Sequence, residues 1–270
     1  MTKILALTDT HLTTGGERII GIDPAARLRE VLAHALRYHG DAAHLVILGD
    51  LTHWGEAEAY ATLKELLSGL PMDWTLMVGN HDRREALLEV FPDLPRSPDG
   101  FLQRALTFPG WDLLTLDTLD GPPYPAGHHA GRLCDARLAW LDAQLAKAAD
   151  RQVLVMTHHH AVPSGLPGMD RIALQEPEAL LDRLRRHGRA LLVSGHIHKT
   201  ISVVHRGLPW AVLKSTCHQA PLDLADTDSS SSIDEGAGYG VILLGNDGAT
   251  VHCEEVPGGR GGRASASGSA

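Results

Sequence analysis

Cysteine is scarce in this chain of 270 residues. The three present, at positions 134, 217 and 253, form no CxxC pair and no even set. A disulfide framework is therefore not expected, and a reducing, cytoplasmic setting is. Aromatic residues are few as well, with 5 Trp, 4 Tyr and 3 Phe. No apolar run nears the roughly 18 residues that a membrane span requires, so no membrane association is expected. A cleaved leader is not expected either, because Ile4–Asp9 reads at once as a structural strand. Basic charge is in deficit, 24 Lys and Arg against 33 Asp and Glu. A net charge of −9 argues against a nucleic acid polymer or an anionic membrane as partner.

Histidine is what the chain has in excess. Its 17 imidazoles outnumber the aromatic side chains, an inversion that core packing alone does not produce. Their placement follows from the pattern of elements. Short apolar runs at 4–8, 45–48, 75–78, 153–156 and 191–193 have the length of buried strands. Amphipathic stretches at about 24–38, 56–68, 135–149 and 176–187 lie between them. The first opens Asp23-Pro24, an N-cap followed by proline at N1. Strand and helix alternating in this way predict an α/β fold with crossover connections. After residue 199 four short strands follow without helices, at 200–205, 209–213, 239–244 and 250–255, and read as added antiparallel sheet. Asp223–Gly238, with serines at 229–232, reads as a mobile surface loop. Residues 258–270 are only Gly, Ser, Ala and Arg and read as a flexible tail behind a single catalytic domain over 1–257.

Each of the five strands ends in residues that bind metals. Asp9-Thr10-His11 ends the first and Gly49-Asp50 the second. Gly79-Asn80-His81-Asp82 ends the third, Thr157-His158-His159-His160 the fourth, and Gly195-His196-Ile197-His198 the fifth. In open α/β sheets, ligand sites form beyond the carboxyl ends of the strands. The glycines before Asp50, Asn80 and His196 allow sharp turns there. Singly, each motif has an ordinary explanation: a Gly-Asp turn, a common His-x-His pair, or Asn80 or Asp82 capping a helix. Five in order argue for one site. Oxygen and imidazole donors without thiolate suit Mn, Fe, Co or Zn, and seven ligands suit two divalent ions. A metal pair about 3.5–4 Å apart needs a shared carboxylate, for which Asp50 is the candidate. Two dications, less the charges of two carboxylates and a hydroxide, leave about +1, which attracts an anion.

The ordered set DxH, GD, GNHD, H and GHxH resembles the calcineurin-like metallophosphoesterases. The resemblance runs from Asp9 to about residue 255. Four segments are similar in detail to bacterial class III cyclic nucleotide phosphodiesterases and to glycerophosphodiesterases: Gly49–Thr52, Thr157–Gly165, Asp170–Gln175 and Ser215–Gln219. The fold so implied is a four-layer α/β/β/α sandwich of two mixed β-sheets flanked by helices. The implied ligands are Asp9, His11, Asp50 and His198 for one metal, and Asp50, Asn80, His158 and His196 for the other. The implied reaction is in-line attack on phosphorus by a metal-bridging hydroxide. Substrate contacts are then expected from His11, Asp50, Asn80, His81, His198 and His218. His81 would protonate the leaving oxygen, with Asp82 orienting it.

His53 replaces the tyrosine of iron-tyrosinate phosphatases, and Gly49–Gly55 lacks the arginine of the phosphoprotein phosphatases. The DNA-binding extension and basic surface of the repair nucleases are not expected in so acidic a sequence. His160-Ala161 stands where close relatives have Pro-Pro. His159 and His160 either support the metal shell or line a loop. His53 is expected near the pocket, while His128 and His129 are left in a loop. His34, His39, His44, His187, His205 and His252 are read as surface or helix-end residues. The expected substrate is a small phosphodiester, a 3′,5′-cyclic nucleotide such as cAMP first and a glycerophosphodiester second. A phosphomonoester and an inactive metal-binding scaffold are the alternatives. Relatives of this kind often dimerise, so a homodimer or higher homo-oligomer is open.

Overall fold

β1 (Thr2–Leu7) shows how the layers arise, because its side chains alternate between two different cores. Leu5 and Leu7 join a cluster with Leu28, Val31, Leu63 and Leu87, which come from helices. Ile4 and Ala6 join Val46, Met77, Leu113, Leu154 and Val193, which come from strands or strand ends of both sheets. One face of the sheet is thus covered by helices and the other by a second sheet. The computed structural model describes residues 1–256, so the predicted tail at 258–270 lies outside the described residues.

The first sheet has the order β11 (Ala249–Val256), β10 (Ala237–Leu244), β1, β2 (His44–Ile47), β3 (Trp74–Leu76). The second has the order β4 (Arg104–Phe108), β5 (Trp111–Leu116), β6 (Gln152–Thr157), β7 (Ala190–Ser194), β9 (Leu208–Val212), β8 (Ile201–His205). In the first sheet, β1, β2 and β3 are parallel. Their crossovers are α1 (Pro24–His39) and α2 (Ala57–Leu67), with α3 (Arg84–Val90) following β3. In the second sheet, β5, β6 and β7 are parallel. Here α4 (Asp135–Ala148), the one-turn α5 (Pro167–Asp170) and α6 (Glu178–His187) occupy the crossovers. Asp23 caps α1 as its sequence predicts, its carboxylate accepting from Ala26 N at 3.0 Å. The four-layer expectation is therefore met.

Three readings of the sequence need correction. The hairpin of β4 and β5 is absent from the predicted strands. It was legible as an alternating run, the turn Pro109-Gly110 and a second apolar run. The C-terminal strands do not make a sheet of their own. β8 and β9 extend the second sheet, with β9 parallel to β7, while β10 and β11 extend the first. Burial against both existing sheets is what draws them apart, since β10 supplies Ile242 and Leu244 to the core between the sheets. His44 is no surface residue: it is 3% exposed in β2, its Nε2 2.8 Å from Thr75 Oγ1. No described helix is long and apolar enough to cross a membrane.

Candidate metal centre

β1, β2, β3, β6 and β7 all end at one rim of the sandwich, and the two sheets face each other there. The seven predicted ligands converge on it. His11 Nε2 and His158 Nε2 both approach the same oxygen, Asp50 Oδ2, at 3.7 and 3.3 Å, and each belongs to a different set of neighbours. In the first set, His198 Nε2 lies 3.1 Å from His11 Nε2 and 3.2 Å from Asp9 Oδ1. In the second, His158 Nε2 lies 3.2 Å from Asn80 Oδ1. His196 stacks edge-on against His158 at 5.0 Å. Ligands about 2.1 Å from one divalent ion stand roughly 3.0–3.5 Å from each other. These spacings are of that order.

Two further observations test whether the residues fit metal ions. Asp9 Oδ1 is buried and accepts no well-aligned hydrogen bond, facing only His198 Nε2 at 3.2 Å, whereas its other oxygen accepts from Thr8 Oγ1 at 2.6 Å and His196 N at 3.1 Å. An anionic oxygen left in this state is costly unless a cation meets it. Each imidazole is also held at the nitrogen facing away from the centre. His158 Nδ1 donates to Leu48 O at 3.0 Å, His198 Nδ1 to His218 O at 2.9 Å, and His196 Nε2 to Ile172 O at 3.1 Å. The residues fit a pair of divalent cations sharing Asp50.

Charge within the cluster points the same way. Burial pushes the Asp50 carboxyl up, but His158 and His81 outweigh it and hold it well below the usual range. Burial pushes His158 down, yet Asp50 carries it up to about 9. His198 is raised against its burial by Asp9, while burial keeps His11 and His196 well below the ordinary imidazole value. The two carboxylates thus demand positive charge, and protonated histidines supply it where no cation does.

The backbone reaches this arrangement through conformations that side chains rarely adopt. Asp9, His11, Asp50, His196 and His198 all have positive φ, between 46° and 71°. Such residues cost about 1–3 kcal/mol each and persist only where the surrounding fold imposes them.

Not every predicted role is realised. Asp82 does not touch the His81 side chain. Its carboxylate accepts from Leu51 N and Thr52 N at 3.2 Å, Gly79 N at 2.9 Å and Tyr60 Oη at 2.9 Å. It ties the Asp50 loop to the Gly79 loop, and burial followed by the Asp50 charge raises it to about 6. Nor does Asn80 or Asp82 cap α3, which begins after Arg83 without a side-chain cap. His81 is held through its own backbone, N donating to Asp50 Oδ1 at 2.8 Å, and through its ring, Nδ1 donating to His53 O at 2.8 Å.

His218 reaches the site as expected, its ring 4.4 Å from that of His198 and its Nδ1 unpartnered. His159 and His160 are fully buried behind the ligands. His129, left in a loop by the sequence reading, receives the Asn80 amide at Nδ1, 2.9 Å away. The ligands open into a cavity of about 430 Å³ bounded by Ile19, Ile20, Met169 and Ile172. The serines at 229–232 close its rim. They belong to the segment read as a mobile loop, which is irregular apart from a bridge between Gln219 and Ile233 and its last two residues in β10.

A rim of strand ends with two candidate ligand sets around one carboxylate is the arrangement a metal-dependent phosphoesterase requires. The model of the calcineurin-like phosphoesterase family matches residues 2–200, and the chain belongs to that family. It is 40% identical over 252 residues to a probable cyclic nucleotide phosphodiesterase of Rhodopseudomonas palustris, covering 93% of this chain and 91% of that one. It is 31% identical to the glycerophosphodiester phosphodiesterase GpdQ of Enterobacter lignolyticus, covering 82% and 80%. Among solved structures, a dimetal phosphatase from Danio rerio shares the fold, with a TM-score of 0.67 at 17% identity over 93% of this chain and 98% of that one.

Proposed function

We propose that this protein hydrolyses a small phosphodiester, a 3′,5′-cyclic nucleotide such as cAMP, at a dinuclear centre held by the seven ligands. The observation that carries the reading is the approach of His11, beside His198 and Asp9, and of His158, beside Asn80, to one oxygen of Asp50. Mn, Fe, Co and Zn all suit this donor set. Two bound cations supply Lewis acidity and an activated water.

The chain's own groups do the remainder. Asp9 and Asp50 neutralise part of the cationic charge, leaving a surplus that favours a phosphodiester anion. His218, whose Nδ1 has no partner, lines the cavity and is placed to bind a phosphate oxygen. His81 keeps a proton on Nδ1 because a carbonyl accepts there. When the ring carries a second proton, that proton sits on Nε2 and is the one available to the leaving alkoxide. Apolar walls at Ile19, Ile20, Met169 and Ile172 suit an organic leaving group.

A glycerophosphodiester is the second reading, favoured by the likeness to GpdQ. The same reading places one catalytic domain over 1–257 in the cytoplasm, as a homodimer or higher homo-oligomer, which light scattering and cell fractionation check. The function is tested by reconstituting the metal-free protein with each of the four metals and assaying cAMP, cGMP, 2′,3′-cyclic nucleotides and glycerophosphodiesters. Turnover of cyclic nucleotides at least tenfold above the others supports it. Preference for p-nitrophenyl phosphate over bis-p-nitrophenyl phosphate overturns it in favour of a monoesterase.

A further inference from the structure

Three imidazoles from three different loops stand in a row at the mouth of the centre. His53 follows β2, His81 follows β3, and His129 lies between β5 and α4 on the second sheet. The ring of His53 is 5.0 Å from that of His81 with 18° between planes, and that of His129 is 5.4 Å from it at 28°. His81 thus has two near-parallel ring neighbours, and it meets His11 nearly at right angles, at 4.8 Å and 80°. Stacked rings at these separations attract each other, and together they leave the middle ring little freedom to turn.

Both outer rings are themselves held. Trp54 packs edge-on against His53 at 4.4 Å, and its indole N–H donates to Glu17 at 2.9 Å. His53 Nδ1 lies 3.2 Å from His11 Nδ1, and its carbonyl accepts from His81 Nδ1. His129 accepts from Asn80 at Nδ1, while its carbonyl accepts from His159 Nε2 at 3.1 Å. His159 is fixed in turn by Thr118 Oγ1 at 2.8 Å. Gly131 lies so close over the His159 ring that a Cβ there would overlap it, 2.8 Å from its Cβ.

From this geometry, and resting on the acid role proposed for His81, we infer that His53 and His129 are positioning residues that clamp the His81 ring. The clamp fixes Nδ1 on the His53 carbonyl and so presents Nε2 to the leaving oxygen. A freely rotating imidazole would spend most of its time in orientations useless for proton transfer, and correct placement is worth much of a general acid's effect. The clamp spans the two sheets, so the acid is referenced to both halves of the metal centre.

The test uses the zinc-loaded protein with His53→Ala, His129→Ala, His129→Phe and His81→Ala, metal content being measured for each. On cAMP, whose alkoxide needs a proton, the two alanine variants should lose about tenfold or more in kcat with KM changed little. On bis-p-nitrophenyl phosphate, whose leaving phenolate needs none, the loss should stay within about threefold. His129→Phe, which keeps the stacking face but loses the acceptor for Asn80, should recover most of the cAMP rate. In the His81→Ala background, alanine at 53 or 129 should cost nothing more. Equal losses on both substrates, or losses that add to that of His81→Ala, overturn the clamp. A separate readout is the slowly exchanging Nδ1 proton of His81 in the NMR spectrum, which His53→Ala and His129→Ala should abolish. Its persistence in both variants refutes the clamp whatever the rates, whereas its loss beside an unchanged cAMP rate in His81→Ala refutes only the acid role.

Discussion

Gly79→Ala is the smallest change expected to disable the centre. Gly79 does not have a left-handed backbone, so alanine there meets no conformational penalty and the effect is purely one of space. A Cβ at this position would overlap Asp50 Oδ1 and stand 2.6 Å from both Asp50 N and His158 Nε2. Ordinary contact begins at 3.4 Å, so Asp50 N and His158 Nε2 must retreat by about 0.8 Å and Asp50 Oδ1 by more. None retreats freely, because Asp50 Oδ1 accepts from His81 N and His158 Nδ1 is tied to Leu48 O. Metal ligands tolerate displacements of only about 0.2 Å. A reacting group misplaced by about 1 Å can cost 10²-fold. The expected outcome is loss of the metal shared by Asp50, Asn80, His158 and His196, with kcat/KM down about 100-fold, or nearly 3 kcal/mol of barrier. The metal-free protein should lose only the roughly 1–3 kcal/mol of stability typical of overpacking. Metal analysis after dialysis, steady-state kinetics and urea unfolding of the chelated protein separate the two effects. A variant that keeps two metals at wild-type affinity and works within threefold of the wild-type rate refutes the reasoning.

Three other changes test buried polar groups of the fold. His44 is held neutral by burial and then by Arg104: Thr75 Oγ1 accepts from Arg104 at 3.0 Å and so donates its own proton to His44, whose value falls to about 4. The unfolded chain binds the extra proton near pH 6.5, so this contribution is whole above that pH and declines toward pH 4. Urea unfolding at pH 7.5 and 5 should differ by about 2 kcal/mol more in the wild type than in His44→Gln, and equal differences would refute it. Asp82→Asn puts a donor among groups that already donate to this carboxylate, three backbone N–H groups among them. It should cost about 3 kcal/mol by urea unfolding, and a loss below 1 kcal/mol would show the carboxylate to be dispensable. Asp117→Ala strips the buried Arg84 of its partner at 2.6 Å and should destabilise by about 3–5 kcal/mol in the same assay.

How much of the site could be read beforehand depended on which strands could be read. Asp9, Asp50, Asn80, His158, His196 and His198 follow apolar runs that announce themselves as strands, and His11 comes with Asp9. His129 follows β5, whose run Trp111–Leu116 carries a polar Asp112 near its start and lies behind an exposed partner strand. Once β5 is recognised as a central strand, Asp117, Thr118 and the loop to α4 belong at the same rim, and His129 becomes a site residue. The role of Asp82 was hidden for a different reason. Its neighbour in sequence is His81, but its partners Leu51, Thr52 and Tyr60 lie 22 to 31 residues away. Only the packing of β2 beside β3 brings them together. His44 likewise carries no sign of burial in its residue type, and only the Thr75–Arg104 pair makes its burial tolerable.

The glycines before the candidate ligands do more than allow sharp turns. Gly49, Gly79 and Gly195 read as hinges that let the chain turn. Gly49 does take φ of 107°, but the turns at Asp50, His196 and His198 are made by the ligands themselves, each with positive φ. Gly79 and Gly195 serve instead as gaps. A Cβ on Gly195 would overlap Thr8 Oγ1 and stand 3.0 Å from Asp9 Oδ2, as one on Gly79 would press on Asp50. Each gap therefore lets a loop of one strand approach the carboxylate of another. Gly195 of the second sheet approaches Asp9 of the first, and Gly79 approaches both Asp50 of the first sheet and His158 of the second. Strain has been placed on the ligands, where about 1–3 kcal/mol apiece holds them off the usual backbone minima. The space has been placed on their neighbours. A site built this way resists substitution at the glycines as strongly as at the ligands, because both determine whether two sheets can meet around one carboxylate.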